Sequence, residues 1–197
     1  MDSAMIPQIS RKQSERGFSL IEVLISTAIV TVGLLAVVGS FGAAVASTQS
    51  AQEDLIAKQK ALEAVESIFT SRNTQQITFA QIANVSSGGI FKDGYQPLLA
   101  AGADGLAGTS DDVAYPLCPG GVECLMLPGA DGVLGTPDDI QMSLDNFSRQ
   151  ILIVPVLNPD LTVNPNLKQI TVNVQYSKPG QGKQHIYTTN ALISSFR

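Results

Sequence analysis

The apolar positions change rhythm three times along this chain. From Phe18 to Val45 they run almost unbroken for 28 residues. About 20 apolar residues are enough to cross a bilayer as a helix, so residues 18–45 read as a transmembrane span. Ala43 to Thr70 contains no Gly and no Pro and is dominated by Ala, Gln, Glu, Lys and Leu, all good helix formers. Within it Leu55, Leu62, Val65 and Phe69 recur at helical spacing. They predict one apolar stripe, with Glu53, Lys58, Lys60, Glu63 and Glu66 mostly off it. The two stretches join into one helix over residues 18–72, about 80 Å long at about 1.5 Å per residue. Its second part packs on a globular head formed by residues 73–197.

The head changes period again. Asn73 to Ser87 is polar and reads as a connection. Arg149 to Val156 is rich in β-formers, Gln169 to Tyr176 puts Ile170, Val172, Val174 and Tyr176 on one face, and His185 to Ile193 makes a third run. Asn158-Pro159-Asp160, Asn164-Pro165-Asn166 and the segment 178–182 supply turn residues. Pro155 is expected where no ladder N–H is needed. The fold class is α+β: a long N-terminal helix against a small antiparallel sheet over residues 149–193, with a Gly/Asp-rich loop region between them.

Charge sharpens the reading of the N-terminal segment. Glu22 is the only charge in the 35 residues from Phe18 to Gln52. A charged Asp, Lys or Arg at a bilayer centre costs on the order of 2.5–3.5 kcal/mol on insertion scales, so a carboxylate kept there calls for a partner. Arg11, Lys12 and Arg16 flank the apolar run on its N-terminal side, which orients that side to the cytoplasm and the head outside. A conventional secretory signal is the competing reading, with Ala44-Val45-Ala46 as its cleavage pattern. The apolar stretch is too long for one and contains a glutamate.

The junction Gly17-Phe18-Ser19-Leu20-Ile21-Glu22-Val23-Leu24 resembles the class III signal of type IV pilins and pseudopilins. The resemblance implies that residues 1–17 are a leader, that a prepilin peptidase cuts between Gly17 and Phe18, and that the new terminus is N-methylated. It implies that Glu22 meets the Phe18 amine of a neighbouring pilin subunit in a helical filament. It also implies insertion in a bacterial inner membrane before passage into a periplasmic or extracellular fibre. Residues 54–74 look most like the PilV-type minor pilins, the type IV pilus modification proteins. Pseudopilins of type II secretion are the alternative. Ala36, Ser40 and Ala44 follow the small-xxx-small spacing that lets helices approach closely in lipid.

Between helix and strands lies an internal repeat. Residues 102–113 read GADGLAGTSDDV and residues 129–140 read GADGVLGTPDDI, identical at eight of twelve positions. From Asp93 to Ser148 there are nine acidic residues and no Lys or Arg. Hard divalent cations favour carboxylates and carbonyls on flexible turns, so Asp104, Asp111 and Asp112, and Asp131, Asp138 and Asp139, are candidate calcium ligands. Solvated Asp-Gly turns are the plainer alternative, and a calcium-dependent adhesin at a pilus tip is the functional extension. Cys118 and Cys124 stand between the repeats. A disulfide would close a small loop and contribute about 2 kcal/mol; a zinc pair is the rival, with the only histidine, His185, far off in sequence.

Without residues 1–17, nine of the 12 basic and 15 of the 17 acidic residues remain, a net charge of −6. That balance argues against nucleic-acid binding. No nucleophile–base set, phosphate loop or catalytic metal cluster is visible, and His185 sits in a strand pattern, so a structural role is expected rather than an enzyme.

Overall fold

The computed structural model describes residues 17–177 and 184–196. The leader before Gly17 and the turn assigned to residues 178–182 lie outside them. The chain divides into two compact units, one ending at Ser47 and one running from Thr48. Helix α1 (Leu20–Asn73) supplies residues to both.

In the second unit a four-stranded antiparallel sheet has the order β1–β4–β5–β6, formed by β1 (Gln96–Pro97), β4 (Phe147–Leu157), β5 (Val163–Ser177) and β6 (Gln184–Ser194). The three long strands contain the three runs expected from alternation. Ile170, Val172, Val174 and Tyr176 all face the core. The opposite face carries a polar ladder: Thr188 donates to Asn173, and Thr171 to Asn190, both at 2.7 Å. A two-stranded hairpin, β2 (Cys124–Leu127) with β3 (Ile140–Ser143), is an addition that alternation did not announce. Asn158 closes the turn between β4 and β5 by bonding Thr162. Asn164-Pro165-Asn166, expected as a turn, lies inside β5 instead. Pro155 stands beside a register shift between Pro155 and Leu157, where the ladder is already interrupted.

Only part of the expected stripe faces the core: Val65 and Phe69 pack against it, whereas Leu55 and Leu62 do not. Ala57, Ala61, Ala64 and Ile68 are fully buried, and Ile56 and Lys60 nearly so. Leu55 and Leu62 are 64% and 46% exposed. Alanines at i, i+4 and i+7 form the middle of the buried face, with Ile56 and Ile68 at its two ends. The leucines, chosen for hydrophobicity alone, lie on the outer face.

The connection after α1 has a specific task. Buried Asn84 donates its side-chain amide to the Ile151 carbonyl at 2.7 Å and accepts from the Ile153 amide at 2.8 Å. It thereby pairs the stretch of β4 that short β1, bonded only at Ser148 and Arg149, leaves open. Lys168 Nζ donates to the carbonyls of Phe79 and Ile82 and lies 4.7 Å from the Phe79 ring centroid, fixing this connection to β5. Phe147, Tyr176 and His185 stack in sequence, and Tyr176 donates its hydroxyl to Asp54 on α1.

The stripe assignment has a direct check in denaturant unfolding of the full chain in detergent. Ala61→Leu should cost about 1–3 kcal/mol by overpacking. Leu62→Ala should stay within about 0.5 kcal/mol.

Candidate processing and assembly site

Ser19 starts the helix: its carbonyl accepts the amides of Glu22 at 3.0 Å and Val23 at 3.2 Å. Glu22 therefore lies in the first turn, where the helix dipole favours a carboxylate. Gly17 and Phe18 precede it in exposed, non-helical chain. A Cβ added at Gly17 would meet nothing within 4 Å, so packing within this chain does not require glycine there.

Every residue from Gly17 to Gln49 is exposed. Thr27, Thr31 and Ser40 turn their hydroxyls onto the helix's own carbonyls of Leu24, Thr27 and Val37 at 2.9, 2.7 and 2.8 Å. That is how a hydroxyl is satisfied where no water is present. Glu22 pairs with no cation among the described residues. By length and composition α1 is able to cross a membrane.

The acidic repeat is a repeat of structure as well as sequence. Ala100 bridges Val113, and Leu127 pairs with Ile140, so each unit is a long tip closed at its base by antiparallel pairing, a single bridge in the first and the β2–β3 hairpin in the second. In the first tip Asp104 N donates to Asp111 Oδ2, Leu106 N to Asp104 Oδ1, and Gly108 N to Asp112 Oδ2, with Thr109 Oγ1 donating to Asp111 Oδ1 at 2.7 Å. The second tip repeats each bond with Asp131, Val133, Gly135, Thr136, Asp138 and Asp139. Gly102 and Gly129 have Asp111 and Asp138 against them, where any Cβ would collide at 2.3 Å. The six aspartates assigned to calcium thus spend oxygens on their own loops. Among the described residues, no group of three or more His, Cys, Asp or Glu side chains is placed to hold a metal ion.

Cys118 and Cys124 form a disulfide with their Cα atoms 5.6 Å apart. It holds the segment carrying Glu123, whose carboxylate lies 2.5 Å from Lys60 Nζ; Glu63 is at 2.7 Å on the other side. Burial draws the Lys60 pKa down, but hydrogen bonds and attraction from the two glutamates outweigh it and leave it above 10.5. Arg149, buried on β4, donates to the Lys60 carbonyl at 3.3 Å; burial lowers its pKa against the pull of Glu63, Asp112 and Glu123. Lys60 was read as an off-stripe charge. It is instead the ionic tie between α1 and the disulfide loop; the signal for it in the sequence, which hydrophobic periodicity passes over, is its place between Ala57 and Ala61.

The prokaryotic N-terminal methylation motif matches residues 12–38, which span Gly17, Phe18 and Glu22. No curated protein and no solved structure matches the chain. The motif is a class III prepilin signal and supports a type IV pilin-like or pseudopilin protein, processed by a prepilin peptidase and assembled with other pilins.

The clasps carry a pH signature. Asp111 and Asp138 are held below the ordinary aspartate value of 3.8, first by the Thr109 and Thr136 hydroxyls and then by the Asp104 and Asp131 amides. The folded chain therefore sheds these protons more readily than the unfolded chain. The stability this confers is present above the ordinary aspartate value and is lost as pH falls through the depressed folded values. Thermal melts down the acid limb should show a smaller fall in midpoint for Thr109→Val with Thr136→Val than for the parent. An equal fall would remove the clasps as its cause.

Proposed function

We propose that this chain is a structural minor pilin subunit of the PilV type rather than an enzyme. It is inserted in the bacterial inner membrane with its N-terminus in the cytoplasm, cut after Gly17, methylated at Phe18, and drawn into a type IV pilus or its initiating complex. The observation that carries this reading is the uncovered apolar stretch of α1 with one carboxylate in its first turn. Lipid covers it first, and the helices of neighbouring subunits cover it in the filament. In that second setting Glu22 pairs with a neighbour's terminal amine, which sets the axial position of the incoming subunit. A type II secretion pseudopilus would use the same parts, and co-purification with one machine or the other separates the two. Calcium at the acidic hairpins is a separate proposal, supported by nine carboxylates without a Lys or Arg over residues 93–148. An ion there would compete with the clasp's own N–H and O–H donors for the same oxygens.

Glu22→Ala tests the assembly role. The variant should still begin at Phe18 and reach the membrane at the parent level, while its share in sheared filaments falls tenfold or more. Normal incorporation would contradict the proposed pairing.

A further inference from the structure

The two hairpin tips have the same backbone clasp and opposite fates. In the first, Leu106 is fully buried and Ala107 and Thr109 nearly so; the Gly108 carbonyl accepts the Lys92 amide at 2.7 Å, and Ile151 packs against Gly108. In the second, the equivalent Val133 and Leu134 are 55% and 60% exposed, and nothing among the described residues plays the part of Lys92 for Gly135. Met126, Leu127 and Ile140 at the root of the same hairpin are exposed as well. The first copy of this element shows one way such a tip is covered: its apolar pair is buried and its glycine carbonyl takes a main-chain N–H.

We propose that the tip around Val133 and Leu134 is a docking prong for a different protein, one that offers an apolar pocket with a free backbone N–H inside a rim of Lys or Arg. The basic rim follows from charge. Asp131, Asp138 and Asp139 surround the apolar pair, and no Lys or Arg lies anywhere in residues 93–148. A second copy of this chain does not fit. Its equivalent pocket is filled by its own first tip. Its open groove along Leu55 and Leu62, beside Asp104, is edged by Glu63 and Glu66 and offers only Lys58 against three aspartates. The inference does not depend on the filament reading, because it rests on the repeat, the exposure of its second tip and the charge around it.

The test places a photoreactive phenylalanine analogue at Val133 in the full chain, expressed in its native membrane, with Leu134→Met and Leu134→Asp as second-site variants. Both exposed substitutions should leave the melting midpoint unchanged, since the clasp residues are intact. The expected result is one adduct to another protein, whose cross-linked peptide is apolar and flanked by Lys or Arg. Leu134→Met should keep it, and Leu134→Asp should reduce it at least tenfold. An adduct to a second copy, to lipid or to an acidic surface would overturn the proposal. So would no adduct above that from the analogue placed at buried Leu106, or equal yields from the two variants.

Discussion

Among the described residues nothing covers the apolar half of α1, and that constraint governs the functional reading. Phe41 and the long aliphatic side chains from Leu20 to Val45 stand in the open. The cost of leaving such a surface in water, about 25 cal/mol per Å², means that lipid or other helices must take it up. The hydroxyls of Thr27, Thr31 and Ser40 are already turned onto backbone carbonyls, which suits either environment. Only Glu22 brings a charge, and a carboxylate in an apolar setting is costly unless a cation meets it. The match to the N-terminal methylation motif coincides with this segment.

The second unit is held by a different logic. The middle of its helix face is built from alanines, with Ile56 and Ile68 at the ends. Alanines bring little apolar area per residue, and polar ties carry more of the specificity: Lys60 between Glu63 and Glu123, Arg149 on the Lys60 carbonyl, Tyr176 on Asp54. The disulfide from Cys118 to Cys124 restrains the segment that presents Glu123. Removing Glu123 would strand a buried ammonium with a single neighbour, which is the costly direction for a buried pair. The acidic hairpins solve a related problem, because each gathers three carboxylates and satisfies them with main-chain amides and a threonine hydroxyl.

The elements with a strong period were legible from the sequence. The helix lies within a residue or two of its expected ends, and Ile170, Val172, Val174 and Tyr176 form the inner face of β5 as alternation required. The disulfide was favoured over zinc, and the bond is present. Of the apolar stripe expected on α1, Val65 and Phe69 pack against the core, whereas Leu55 and Leu62 face outward and Ala57, Ala61 and Ala64 take the innermost positions, which hydrophobicity alone does not single out. Asn164-Pro165-Asn166 was misread because turn residues also occur in a strand where its ladder is broken. The β2–β3 hairpin was hidden by its tip, whose Gly and Asp content hides the short strands on either side. Nor does spacing alone say whether a row of aspartates faces a cation or its own loop's amides. The part played by Asn84 had no signal in a polar connection.

The most direct test of the central claim is a magnetisation-transfer experiment on assembled material. Filaments or initiating complexes are prepared with carbon-13 in the Glu22 carboxylate of this chain and nitrogen-15 only in the partner subunits. The account predicts transfer between the carboxylate carbon and a partner's terminal amine, at the separation of an ion pair whose N···O distance is about 4 Å or less. Transfer only to amide nitrogens, or to none, would mean that Glu22 is buried without the amine, and the assembly mechanism proposed for it would be wrong.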